Sequence, residues 1–360
     1  MTVLQSISDD ARIKPRVEVG HVDLTNPDAR REWDAFIEAH PDATFFHRAG
    51  WPHVIQSVYG HENVSIAARM GGRIVGVLPL THVRSPLFGS ALVSTAFTVG
   101  GGVIAETEEI ADKLAESAAL IGAERGVEYV ELRSALRSFD GWRPKSDLYA
   151  GFVKDIPEDE DANLKMIPRK KRADLRKALK SGLVADAHAD VSEFYALYSE
   201  SLRNLGTPVF PRKLIEALKR AFEDDMEISV IRAGAQPLAA LVTFFFRDAA
   251  LPYYGGASPA ARNAHAYDYQ YWALMRRAIA RGASKFDFGR SKVDTGAYAY
   301  KKYWGFEPQP LTYQYHLIRA KSTPEINPLN PKYRAMVAIW RRLPLAAANA
   351  IGPHIARQLG

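Results

Sequence analysis

The spacing of apolar and polar positions changes period several times along the chain, and the changes mark out elements. Residues 28–39 carry helical spacing after Asn26-Pro27 and stop at His40-Pro41, and a second helix is expected from about Pro52. Residues 64–69 alternate, meet the turn pair Gly71-Gly72 and resume over 73–83, which reads as a hairpin. Residues 92–104 continue as strand and are interrupted by Gly100-Gly101-Gly102. A helical pattern over 108–125 ends at Gly126, and 127–133 reads as strand.

The second half gives the same order. Strand 227–232, turn Gly234-Ala235-Gln236, strand 237–246, strand 249–255, helix 266–281, Gly282 and strand 285–288 follow one another. The two halves share little residue identity, so the order of elements carries the duplication. An acidic, loop-like stretch at 154–161 separates them. We expect an N-terminal domain at 1–160, a C-terminal domain at 161–320 and a tail at 321–360.

Composition narrows the class. A 360-residue chain with 47% hydrophobic and 24% charged residues reads as a globular protein. The absence of cysteine excludes disulfides, thiolate metal sites and thiol nucleophiles. His47 and His53, six apart, read as ordinary polar residues, and with no paired-ligand spacing no metal is expected. The opening residues lack a basic segment followed by an apolar one, so a cytoplasmic location is expected.

The net charge of +6 is local. Between Arg169 and Lys180 lie seven bases and the single acid Asp174. Leu175 and Leu179 give this helix an apolar stripe, while Arg172, Arg176 and Lys180 form a ladder of cations. A solvated face is the plain reading. The lack of matching acids argues instead for an anionic partner: polyphosphate, an RNA backbone or a membrane surface.

The densest chemistry lies in KFDFGRSKVDTGAYAYKKYWGF, residues 285–306. A short strand, in which Phe286 and Phe288 alternate with Lys285 and Asp287, breaks at Gly289 into a run of hydroxyls and cations. Loops at strand ends are frequent places for chemistry. A solvated loop followed by an aromatic core strand is the competing reading.

Two blocks carry a family resemblance. MIPRKKRADLRKALKSGL and DFGRSKVDTGAYAYKKYWGFEPQPLTYQY are similar to the corresponding blocks of FemAB-type transferases, most of all the FemAB-like proteins associated with PEP-CTERM and exopolysaccharide systems. The resemblance implies an α/β (α+β) fold of two tandem GNAT-like acyl-CoA N-acyltransferase domains, with mixed sheets flanked by helices. It implies transfer of an aminoacyl or acyl group, from aminoacyl-tRNA or acyl-CoA, to an amine of a cell-envelope or exopolysaccharide precursor. A CoA-binding loop of the GNAT type reads [QR]-x-x-G-x-[GA]. Here Arg262 keeps the first position, while His265 and Tyr267 replace the two small residues.

On that footing the expected catalytic residues are Asp287, as base or orienter of the amine, and Lys302. Donor or substrate contacts are expected from Arg172, Arg176, Lys177, Tyr254, His265, Arg290, Ser291, Tyr298, Lys301 and Trp304, with Lys301, Lys302 and Arg290 on phosphate. Tyr253, Asp268 and Tyr269 are further cleft candidates. The alternatives are a CoA-dependent N-acetyltransferase or N-acyltransferase acting on a small amine, and a non-catalytic anion-binding or glycan-binding protein of the same fold. In the tail, Met336, Val337, Ile339 and Trp340 beside Arg341 and Arg342 suit either packing on the second domain or peripheral contact with the inner face of the membrane.

Overall fold

The computed structural model describes residues 16–86, 89–134, 136–324 and 331–358, so the polar segment expected before the first strand lies outside it up to residue 15. The repeated order is present in both halves. In the first, Ile66–Met70, Arg73–Leu78 continued as Leu80–Ser85 beyond Pro79, Gly89–Ser94, helix Glu108–Glu124 and strand Tyr129–Leu132 follow in turn. In the second, the series is Met226–Ala233, Gln236–Phe246, Ala249–Ala257, helix Ala266–Ala280 and strand Lys285–Asp287. In each half the strands before and after the long helix lie parallel, Gly89–Ser94 with Tyr129–Leu132 and Ala249–Ala257 with Lys285–Asp287. Residues 92–104 are thus one strand to Ser94 and a separate two-residue strand, Ile104–Ala105.

The second half's sheet has six strands, in the order Val153–Asp155, Lys285–Asp287, Ala249–Ala257, Gln236–Phe246, Met226–Ala233, Leu183–Asp186. Strand Gln236–Phe246 is buried on both faces. Ala240, Val242, Phe244 and Phe246 face a core shared with the first half, while Leu241 and Phe245 face the helices of the second. Aromatic rings fill the shared core: Phe45 stacks on Phe244 at 4.4 Å, and Trp51 and Phe222 pack around them. A separate core lies beneath helix Glu108–Glu124.

Strands pair across the sequence division at residue 160, among them Tyr149–Gly151, which lies between Ser291–Lys292 and Gln309–Pro310. Val153–Asp155 runs antiparallel to Lys285–Asp287 in the second half's sheet. Tyr313–Leu317 enters the first half's sheet between Tyr129–Leu132 and Arg143–Lys145. Gln314 fixes that crossing: its buried side chain accepts from the Phe139 N–H at 3.0 Å and donates to the Arg137 carbonyl. The tail packs as well. Helix Leu345–Ala356 lies on helix Val191–Leu205, Asn349 reaches Ser199 Oγ at 3.3 Å, and His61 of the first half meets the Arg357 carbonyl at 2.9 Å.

The glycine triplet has a structural use. Gly101 sits at φ 132°, where a Cβ would collide with the Thr95 side chain, whose hydroxyl donates to the Gly100 carbonyl. His47 Nε2 meets the Gly102 carbonyl at 3.1 Å, and burial lowers the His47 pKa to about 4, so the ring is neutral at pH 7.

The reciprocal strand exchange makes a direct prediction. Fragments 1–158 and 159–360 should copurify as a 1:1 complex when coexpressed and each aggregate alone, because each leaves a partnerless edge. Two soluble, separately folding monomers in sedimentation would show that the exchange is dispensable.

Candidate active site

The parallel pairing of Ala249–Ala257 with Lys285–Asp287 covers only Ala249↔Lys285 and Ala250↔Phe286. Beyond that point the strands part. On one side of the opening a β-bulge leaves Tyr253 without a partner, as the register jumps from Val242↔Tyr254 to Thr243↔Pro252. On the other side stands Asp287. Bulges concentrate next to active sites because they re-aim a side chain. Tyr253 turns its hydroxyl to the Phe97 carbonyl of the first half, 3.4 Å away.

Asp287 lies between the two apolar residues Phe286 and Phe288, which pack into the helix-side core. Burial pushes its carboxyl above the ordinary carboxylate range, opposed by the Gly289 N–H, which donates to it at 2.8 Å, and by the charge of Lys301. Lys301 is itself lowered to about 8, by burial first and then by Arg290, against the pull of Asp287. A carboxylate and an ammonium, both shifted toward neutrality, thus share one strand end.

After the short strand Ser291–Lys292, the aromatic part of the segment is a helix and not the core strand that its spacing allowed. Thr295 caps a helix, Gly296–Tyr303, by accepting from the Tyr298 N–H at 3.4 Å. Between this helix, the start of Ala266–Ala280 and the basic helix Arg169–Leu179 opens a cleft of about 650 Å³. Its lining includes Arg262, His265, Tyr267, Tyr271, Ala297 and Lys301. His265 caps the long helix at φ 56°, a conformation that glycine adopts without strain. The backbone of the loop therefore keeps a glycine-like shape while the imidazole and the Tyr267 ring line the cleft.

The basic helix fastens this wall. Lys171 is buried and pairs with the Asp268 carboxylate, which also accepts from the Tyr300 hydroxyl at 2.9 Å. The Lys171 ammonium lies 4.6 Å from the Tyr300 ring centre and 5.3 Å from those of Tyr303 and Trp304. The inward stripe is Lys171, Leu175 and Ala178, and Leu179, expected in it, is 43% exposed. Arg172 is half-buried, Arg176 and Lys180 are exposed, and none of the three has an ion pair among the described residues. Lys177 pairs weakly with Asp174 at 4.0 Å.

Other expected site residues fall elsewhere. Trp304 is fully buried and belongs to the core beneath the cleft, because its indole supports the Lys171 pair. Tyr254 is buried between Tyr198 and Phe210, on the side of the strand that faces the shared core. Ser291 is buried, and Tyr298 packs edge-on against Phe152. Lys301 donates to the carbonyls of Phe288, Gly289 and Arg290 at 2.6–3.1 Å, so all three of its N–H groups hold the strand end. Lys302 projects to solvent, 5.8 Å from the Tyr298 ring centre. Tyr269 is half-buried against the core beneath Leu183 and Leu238.

Arg290 points to a second, smaller cavity of about 140 Å³ where the halves meet. It lies over the Tyr149 ring at 4.3 Å and donates to the Tyr313 hydroxyl, which donates in turn to the Val99 carbonyl at 3.2 Å. Arg133 and Glu131 line the same cavity and pair at 2.6 Å. Sequence spacing gave no sign of Tyr149, Tyr313, Glu131 or Arg133, since strand exchange alone brings them to Arg290.

Residues 169–302 match the model of the acetyltransferase (GNAT) domain. Among solved structures, FemX superposes with a TM-score of 0.65 at 15% identity, covering 89% of this chain and all of that one. The L-PGS structure from Bacillus licheniformis gives 0.55 at 12% identity, covering 89% and 97%. A tandem GNAT protein from the clavulanic acid biosynthesis pathway gives 0.54 at 12%, covering 86% and 100%. No curated protein matches the chain by sequence. The fold is that of tandem GNAT domains.

The two GNAT halves differ where the long helix begins. In the first, Glu108 and Glu109 open the helix, and Arg137 closes over it by donating to the Glu108 carbonyl at 2.8 Å and pairing with Asp112 at 3.0 Å. The space left there is about 120 Å³, against about 650 Å³ in the second half. Acids at a helix N-terminus repel an anionic ligand, and the first half's larger cleft, about 600 Å³, lies to one side of the helix start, against Phe36, His40, Arg73 and Glu106.

Fastening by a buried pair predicts unequal costs along the basic helix. Lys171→Met should destabilise the protein by about 3–5 kcal/mol in urea unfolding, because it leaves the Asp268 charge buried alone. Arg176→Ala should change stability by no more than about 0.5 kcal/mol. Equal effects of the two substitutions would contradict this assignment.

Proposed function

We propose that this protein is an N-acyltransferase of the FemAB type, which moves an acyl or aminoacyl group from a donor held in the second half's cleft to an amine. The observation that carries this reading is the opening between Ala249–Ala257 and Lys285–Asp287, with Asp287 at its apex and the cleft beside it. An amine attacking an ester or thioester must lose a proton while the carbonyl is held in line. Asp287 takes that proton from the attacking nitrogen. As the carbonyl bond to the leaving oxygen or sulfur breaks, the proton passes to the leaving group. A carboxylate raised by burial is a stronger base than one in water, which suits this task.

The donor enters from the cleft side of the Phe288–Arg290 segment and the acceptor amine from the cavity between the halves, where Arg290 is set. Lys302, Arg172 and Arg176 are available for the donor's phosphates, and Lys301 keeps the segment in place. His265 and Tyr267 narrow the loop that would receive a CoA pyrophosphate, which favours an aminoacyl ester of tRNA over acyl-CoA. The acceptor is an envelope or polysaccharide precursor, in keeping with the PEP-CTERM-associated subgroup that the sequence resembles.

Asp287→Asn should lower the transfer rate by about 10²–10⁴-fold and abolish the acidic limb of the pH profile, in which activity falls as pH drops through the Asp287 pKa. The same substitution should raise Tm at pH 7. The folded-state pKa lies above the unfolded one, so the site's contribution to stability is present at low pH and lost as pH rises through it. The neutral amide escapes that loss. Unchanged turnover with an unchanged acidic limb would remove Asp287 from the chemistry.

A further inference from the structure

Among the described side chains, helix Pro331–Trp340 meets the C-terminal end of helix Val191–Leu205 on one face. Val337 contacts Gly206, and Arg341 donates to the Leu205 carbonyl at 3.3 Å. The face turned away carries Met336, 59% exposed, and Ile339, 65% exposed, three positions apart, with Arg342 exposed at the helix end. Leu205, 58% exposed, adjoins through that Arg341 contact. Most large apolar side chains in this protein are buried, so clustering among the exposed ones calls for an occupant.

The charge of the segment selects that occupant. From residue 326 to the end the sequence holds Lys332, Arg334, Arg341, Arg342 and Arg357 and no aspartate or glutamate. A self-complementary protein interface would need acids against these cations, and this segment has none. No helix among the described residues is long and apolar enough to cross a membrane, so the patch can lie on a bilayer but not span it.

We propose that the outer face of helix Pro331–Trp340 docks on an anionic membrane surface. Met336 and Ile339 enter the headgroup–acyl boundary, and Arg342 meets lipid phosphates. This docking is independent of the transfer chemistry, since none of these residues lines the cleft or the cavity between the halves.

The test is sedimentation of the full chain with vesicles of phosphatidylglycerol and phosphatidylcholine in equal parts, at 0.1 M salt. Wild-type protein should pellet with them and should not pellet with pure phosphatidylcholine. Met336→Gln with Ile339→Gln should weaken partitioning by roughly tenfold or more, and Arg342→Gln by roughly fivefold. All three substitutions are at exposed positions, so the melting temperature should stay unchanged. Equal pelleting of wild type and double variant, or no pelleting of wild type, would overturn the proposal. So would a wild-type dimer in sedimentation velocity that the double variant converts to monomer, since the occupant would then be a second copy.

Discussion

The arrangement of the site depends on how strand Lys285–Asp287 is held. A strand that parts from its neighbour leaves backbone groups unpaired, and that is costly in a buried sheet. Here the strand is paired on its far side by Val153–Asp155, a segment that belongs in sequence to the first half. The near side is thereby released to separate from Ala249–Ala257 after two residues. Lys301 completes the restraint by donating to three successive carbonyls just past Asp287. The opening is thus a supported feature of the sheet, rigid enough to hold a carboxylate whose pKa is raised by burial.

The same exchange of strands explains why the halves act as one body. Aromatic residues of both halves form a single core, and Tyr313–Leu317 returns to the first half's sheet. Tyr313 reaches the cavity around Arg290 along that return, and Tyr149 reaches it on strand Tyr149–Gly151, which pairs with Ser291–Lys292 of the second half. The duplicated halves differ at the start of the long helix. Acids and Arg137 close the space at the start of the first half's long helix, while the second half keeps its cleft.

Much of this was legible in the sequence, and the parts that were not share a cause. Period-two and helical spacing, with glycine stops, located most of both series of repeated elements to within a few residues, because local propensity and turn chemistry decide them, while strand 92–104 ran past its end at Ser94. Asp287 was legible as a strand-end carboxylate, though its burial was not. Lys171 could not be told apart from the other six bases of its segment, because nothing local reveals a partner such as Asp268, 97 residues away. Trp304 and Tyr254 looked like ligand contacts for the same reason: aromatic rings at a strand end serve the core or the site according to tertiary packing alone. The helix Gly296–Tyr303 was hidden by its tyrosines, whose weak helical preference is overridden by the Thr295 cap and by packing.

The central claim is that the donor lies in the second half's cleft, beside Asp287. The most direct measurement is donor binding to wild type and to Ala297→Trp, using aminoacyl-tRNA and acyl-CoA in parallel at near-physiological salt. Ala297 is exposed and lines the cleft, so tryptophan there should fill the space without disturbing the fold. The account predicts saturable binding of one donor class to wild type and its loss in the variant, with unfolding unchanged. Undiminished donor binding in Ala297→Trp would place the donor elsewhere and contradict the account.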